Sequence, residues 1–207
     1  MIDPVARAAA LAAGGRALLG IAGAPGSGKT TLAAHVAAAV PGAVHVPMDG
    51  FHLADVALDR LGRRDRKGAP DTFDAAGYLA LLRRLRTGEP GPVYAPMFER
   101  DLEQPLAGAI AVPPDARLVV TEGNYLLLPD EPWPAVAAEL TEVWFCDLRE
   151  ELRLRRLVDR HVRFGKAPGA AEEWVRRVDG PNAERVAATR DRADLVVPSA
   201  VLETLGP

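Results

Sequence analysis

The chain of 207 residues has a single cysteine, Cys146, set in the apolar run Val143-Trp144-Phe145-Cys146. One thiol excludes an internal disulfide framework and a thiolate metal site, and it suits a reducing cytoplasm. Histidine is scarce too. His35, His45, His52 and His161 are the four, and no His/Cys cluster has metal-ligand spacing. Excess positive charge is lacking: the net charge is −3, which gives no support for a nucleic-acid surface. The alanine-rich start is interrupted by Arg7 and Arg16, and no long apolar run follows. No signal peptide, transmembrane helix or membrane partner is expected. There is no Asn/Thr-Lys-x-Asp segment of the kind a guanine-reading switch requires. Internal repeats and low-complexity tails are also missing.

What is present centres on Gly23-Ala24-Pro25-Gly26-Ser27-Gly28-Lys29-Thr30, a full match to the G-x-x-x-x-G-K-[ST] phosphate-binding loop. Ala17–Ala22 before it has strand length. After it, Leu32, Val36 and Val40 recur every four residues, as one helix face requires. The glycines let the backbone turn its N–H groups inward, and the helix N-terminus adds partial positive charge. Lys29 can reach the outer phosphates and the Thr30 hydroxyl can ligate Mg²⁺. Gly23 to Thr31 are therefore candidates for nucleotide binding. A glycine-rich turn matching by chance is the bland alternative.

Along the chain, Ala43–Met48 reads as a second strand ending at Asp49-Gly50-Phe51-His52. Residues 54–73 are charged and read as a loop or irregular helical segment. Thr72 or Asp74 can cap a helix whose apolar face is Ala75, Tyr78, Leu79, Leu82 and Leu85. Residues 93–112 read as a hairpin-like excursion over the carboxyl edge of the sheet. Arg117–Glu122, Glu142–Asp147 and Asp194–Pro198 supply further strands. Residues 149–163 form a charged helix. Helices at 170–178 and 183–192 are expected, separated by Gly180-Pro181. Strands alternating with helices give an α/β fold with a parallel sheet flanked by helices. Its length suits one domain over residues 1–207.

In such a sheet the ligand lies beyond the carboxyl ends of the strands. The loop, Asp49 and Glu122 each follow directly on a strand at that edge. Phosphoryl transfer needs charge neutralisation, Mg²⁺, and a group that orients the nucleophile or takes its proton. Lys29 and Thr30 supply the first two. Glu122 suits Mg²⁺, directly or through water, and Asp49 suits a general base for an acceptor hydroxyl. The competing readings are a turn-former for Asp49 and a cap for Glu122. Arginines at 149, 153, 156, 160 and 163 share one helix face. Arg149 and Arg153 read as a solvated face. Arg156, Arg160 and Arg163, near Gly165, read as a lid on developing charge, with Arg160 as the catalytic candidate. His35, His45 and His161 read as packing or surface, and His52 as a candidate for touching substrate.

Together these segments resemble the P-loop kinases of the phosphoribulokinase, uridine kinase and pantothenate kinase family. The similarity is greatest to bacterial nucleoside/nucleotide kinase-like proteins, some described as fructose-transport-associated kinases. It rests on Gly23–Thr30, Met48–His52, Arg66–Asp74, Tyr94–Arg100, Glu122–Leu127, Trp174, Pro181-Asn182 and Thr189–Asp194. The resemblance implies a P-loop fold with a lid about 153–170 and an acceptor-side excursion about 90–113. It implies ATP and Mg²⁺ as cofactors, Asp49 as base, and a small-molecule acceptor. Phe51, His52, Lys67, Phe73, Tyr94, Arg100 and Glu122 would border that acceptor, with Trp174 and Asn182 closing on it. The chain is shorter than pantothenate kinase and lacks the doubled Arg-Asp pattern of uridine kinase lids, so neither substrate carries over. A nucleoside, a sugar and a pantothenate-like alcohol stay open, as does a homodimer. A P-loop ATPase switch acting on a protein partner is the alternative function.

Overall fold

The fold is built outward from two strands whose every residue is buried. A computed structural model describes residues 2–206; the two ends of the 1–207 span lie outside the described residues. Helix α1 (Pro4–Ala13) starts where the Asp3 side chain accepts from the Ala6 N–H at 3.0 Å, with Pro4 in the first turn. Strand β1 (Ala17–Ala22) leads into the glycine loop and α2 (Lys29–Ala39). Strand β2 (Ala43–His45) is shorter than the expected run. The chain leaves it at Pro47 and tightens into a 3₁₀ turn over Met48–Phe51. The charged segment holds α3 (Asp55–Leu61), and α4 (Ala75–Thr87) follows. Asp74 caps α4, accepting from the Gly77 N–H at 2.8 Å. Thr72 instead lies buried, accepting from the Gly68 N–H and donating to the Ala69 carbonyl.

The excursion is an antiparallel pair, β3 (Val93–Glu99) and β4 (Gln104–Val112), separate from the main sheet. It lies directly on the Asp49 turn. A Cβ at Gly50 would collide with the Pro96 carbonyl, so only glycine allows this approach. Strand β5 (Leu118–Gly123), α5 (Trp133–Ala138), β6 (Glu142–Asp147) and α6 (Glu150–Arg163) come next. Then α7 (Pro168–Trp174), a π turn over Val175–Asp179 and α8 (Gly180–Ala187) run on as one rod. The break expected at Gly180-Pro181 does not occur. Pro181 has no N–H and its ring crowds the preceding turn. The π turn widens that turn, with Gly180 N–H bonding to Val175 five residues back. Helix α8 stops at Ala187 rather than 192, before a 3₁₀ turn over Arg190–Arg192. Strand β7 (Leu195–Pro198) and α9 (Ser199–Thr204) end the described chain.

The main sheet has the order β2-β5-β1-β6-β7 and all its pairs are parallel. Two apolar layers cover it. Leu18, Tyr78, Leu82, Tyr125, Trp133 and Phe145 pack on one face. Leu19, Ile21, Leu32, Val36, Trp144 and Val197 pack on the other. Adjacent residues such as Leu18 and Leu19 go to opposite faces, as the strand period requires. The register Ile21↔Glu122 and Ala22↔Gly123 brings the loop and Glu122 out at one edge. The buried Thr121 hydroxyl donates to the Val46 carbonyl at 2.6 Å and the Tyr78 hydroxyl donates to Thr121 at 2.6 Å. That chain of bonds fixes where β2 ends and hence where Asp49 stands.

Candidate active site

The loop takes the shape its glycines permit, with Gly26 and Gly28 at φ 81° and 86°. Lys29 and Thr30 open α2 at its floor. The Lys29 ammonium is buried, and desolvation lowers its pKa against the opposing pull of Glu122 and Asp49. Thr30 Oγ1 donates to Glu122 Oε1 at 3.1 Å. Glu122 is only 2 % exposed, and burial raises its carboxyl above the ordinary carboxylate value against the pull of Lys29. Its Oε2 is buried with no hydrogen-bond partner. An orphaned carboxylate oxygen beside a threonine hydroxyl is the hard-oxygen donor set that Mg²⁺ accepts, with substrate phosphates and water completing the shell. Among the described residues no group of three or more His, Cys, Asp or Glu could hold a metal, and a phosphate-bound Mg²⁺ does not need one.

Asp49 sits on the 3₁₀ turn after β2. Burial works to raise its carboxyl, but His52, Lys29, Arg100 and Arg160 together hold it below the ordinary value. It is therefore ionised at neutral pH. Arg100 Nη2 lies 3.5 Å from Asp49 Oδ2. His52 Nδ1 donates to the Asp49 carbonyl at 2.8 Å. The His52 ring lies between Phe73 and Phe98, at centroid distances of 4.0 and 4.7 Å.

Lys29, Thr30 and Asp49 line one cavity of about 350 Å³, shared by the loop, the Asp49 turn, the hairpin and the α6–α7 turn. Of the other residues singled out from sequence, Pro25, Arg160, His52, Lys67, Phe73, Arg100 and Trp174 also line it. Glu122 stands behind Lys29 and Thr30. Besides Glu122, three of the acceptor-side candidates fall outside. Tyr94 is 57 % exposed, because its neighbours Val93 and Ala95 face the core and strand alternation turns it outward. Phe51 packs on Tyr78 at 5.1 Å in the core layer, leaving the cavity side of the turn to His52. Asn182 is buried in α8 away from this cavity. In the loop, Ala24 and Ser27 line a second, largely apolar space between α6 and the α7–α8 rod. Gly23 is pressed against Ser27 and Cys146, and Thr31 lies in α2 beyond Thr30. Arg156 lies beside Gly28, with Nη1 3.5 Å from where a Cβ would stand. Arg163 is exposed.

The reading of Arg153 as solvated is overturned. It is 4 % exposed, donates through Nη1 to the Pro25 carbonyl at 2.8 Å, and forks onto Glu150 at 2.8 and 2.6 Å. Arg149 does lie at the surface, paired with Glu203. Sequence reasoning missed Asp55, Arg64, Asn124, His161 and Asp179 at the cavity wall, and it singled out Tyr94 rather than Phe98 from the Tyr94–Arg100 segment. His161 Nε2 and Asp179 Oδ2 meet at 2.8 Å, but they are 18 residues apart and no local spacing signals the pair. Phe98 lies in a segment singled out above. Pairing of β3 and β4 slips between Ala95 and Met97, and beyond the slip Phe98 lines the cavity while Met97 is 37 % exposed. Asn124 Oδ1 is buried there without a partner.

A comparison with family models finds no match. Individual proteins do match. The ATP-dependent kinase-like protein notR' of Aspergillus versicolor is 36 % identical over 73 % of this chain and 93 % of its own length. A provisionally assigned uridine kinase of Schizosaccharomyces pombe is 33 % identical over 92 % of this chain and 84 % of its own. A crystal structure from Silicibacter sp. TM1040, provisionally assigned as a fructose transport system kinase, is 35 % identical. It superposes with a TM-score of 0.84 over 96 % of this chain and 100 % of that one. Among the described residues no helix is long and apolar enough to cross a membrane.

Proposed function

The chain belongs to the P-loop kinases of the phosphoribulokinase, uridine kinase and pantothenate kinase family, and on that premise we propose that it moves the γ-phosphoryl group of ATP to a hydroxyl of a small molecule. One observation carries this reading: Lys29, Thr30, Arg160 and Asp49 line the same small cavity. A cation pair, a metal-ligating hydroxyl and an ionised carboxylate around a space of small-molecule size are the parts that such a transfer uses.

The acceptor hydroxyl faces Asp49, which takes its proton as the oxygen attacks the γ-phosphorus. Lys29 and Arg160 balance the charge on the three equatorial oxygens, and ADP departs. Arg160 is held partly out of water near Arg100, and burial lowers its pKa with Arg100 adding to the effect. Such a guanidinium is well suited to receive an anion. Thr30 and Glu122 would hold Mg²⁺, which when bound would supply positive charge beside the phosphates. Residues 156–170, the second half of α6 with the turn into α7, serve as a lid that excludes water on closing. A cytoplasmic location accords with the single, buried Cys146.

The test is ADP release measured against a panel of nucleosides, sugars and vitamin alcohols. One acceptor should raise release well above the basal rate in a Lys29-dependent manner. Basal hydrolysis equal with every acceptor, but stimulated by a protein fraction, would favour a switch instead.

A further inference from the structure

The cations of the cavity wall are not all accounted for by ATP or by acids of the protein. Lys67 is held by Asp55 Oδ1 at 2.7 Å, and Arg64 by Asp55 and Asp59 at 2.9 Å each. His161 is held by Asp179. Lys29 and Arg160 belong to the phosphate end. Two cations remain, Arg100 from the hairpin and Lys166 from the α6–α7 turn. The nearest carboxylate oxygen to Arg100, on Asp49, is at 3.5 Å, well beyond the 2.7–2.9 Å of a charge-assisted bond. Lys166 has no carboxylate partner among the described residues; its Nζ rests over the Trp174 ring, 4.8 Å from the centroid. Arg100 likewise rests over Phe164, at 5.7 Å. Phe164 lies in the lid segment and is itself 44 % exposed, and Trp174 closes α7 just beyond it. Aromatic faces hold cations more weakly than a charge-assisted hydrogen bond does, so an arriving anion would draw both side chains to itself.

Resting on the kinase reading of this cavity, we propose that the phosphoryl acceptor carries an anionic group, a carboxylate or a phosphate, which Arg100 and Lys166 grip between the hairpin and the lid. The acceptor body then lies on Phe73, Phe98 and His52, with its hydroxyl at Asp49. Lys166 is on the lid and Arg100 is not, so the anion ties lid closure to acceptor binding. A neutral alcohol makes no such tie.

The test fills the nucleotide site first. Protein saturated with AMP-PNP and Mg²⁺, so that the γ-phosphate position is occupied, is titrated with sulfate by calorimetry. Saturable binding is expected in the parent. Lys166→Met and Arg100→Met, both half-buried at the cavity wall, should each weaken it roughly tenfold to a hundredfold with little change in the thermal melt. Glycerate against ribose 5-phosphate as competitors separates a carboxylate from a phosphate, and their neutral parents glycerol and ribose should not compete. Sulfate binding that is absent, or equal in parent and both variants, overturns the proposal, as does competition by the neutral parents equal to that of the acids. The kinase reading fails separately, if Asp49→Asn turns over an acceptor at the parental rate.

Discussion

The guanidinium of Arg153 donates to the carbonyl of Pro25 at 2.8 Å, joining the root of α6 to the phosphate loop. Gly26 shows the same contact from the other side, since a Cβ there would meet the Arg153 carbonyl at 2.9 Å. Arg153→Met should therefore lower stability by about 1–3 kcal/mol, a fall of several degrees in Tm, because a buried carbonyl loses its donor. It should also weaken ATP binding by loosening the loop. Arg149→Ala, which loses only the surface pair with Glu203, should leave both unchanged. Thermal melts and ATP titrations of the two variants decide this. Equal effects would mean that Arg153 has no special hold on the loop.

Glu122 sets the second expectation. Its orphaned Oε2 and the Thr30 hydroxyl are the proposed metal donors of the site. Parent protein should bind ATP more tightly with Mg²⁺ than with EDTA, and Glu122→Gln should lose most of that difference. Burial raises the Glu122 carboxyl, and protonation removes the ligand. The metal-dependent part of binding should therefore fade on acidification at a higher pH than an ordinary carboxylate would give. A variant that keeps the full Mg²⁺ effect would contradict the assignment.

His45 gives a pH test of the fold rather than of the site. It is half-buried at the end of β2, its buried Nε2 lacks a partner, and desolvation pushes its pKa down to about 4. The folded form keeps the ring neutral while the unfolded chain takes up a proton below about 6.5. Stability from this group is thus complete above pH 6.5 and is lost as pH falls toward 4, to a limit of about 3 kcal/mol. His45→Leu should flatten that acid slope and leave Tm at pH 7.5 equal or higher, since an unpaired buried polar atom is removed. An unchanged slope of Tm between pH 7.5 and 4.5 would refute it.

The lid should show itself in hydrogen exchange. Arg153 and Leu157 are buried against the loop, whereas Arg163, Phe164 and Gly165 are exposed. Protection on adding AMP-PNP and Mg²⁺ should rise across residues 156–170 and change little over 150–154. Equal gains along the whole helix, or none, would remove the lid role.

How far the sequence carries can be seen residue by residue. The loop was legible because its chemistry is local: eight consecutive residues between a strand and a helix suffice. The positions of Asp49 and Glu122 were legible because Glu122 lies at the end of β5 and Asp49 on the turn that follows β2, at the same sheet edge. Arg153 was not, since its stripe spacing on α6 says which residues share a face but not what covers that face. Tyr94 and Phe98 sit in one segment, and only the register of β4 decides which of them reaches the cavity. The π turn before Pro181 was hidden because Gly-Pro reads as a break, and only packing of the rod on α6 reveals the accommodation. His161 and Asp179 meet through that same rod.

The central claim is that Asp49 takes the proton of an acceptor hydroxyl, and one variant tests it most directly. Asn at position 49 keeps the shape of the side chain and cannot take the proton, and general-base help is typically worth about 10²–10⁴-fold. With the acceptor found by the ADP-release panel, Asp49→Asn should retain near-parental ATP affinity and Tm while kcat for acceptor phosphorylation falls by at least about 10²-fold. Parental turnover with a normal melt would contradict the account and move the base elsewhere in the cavity.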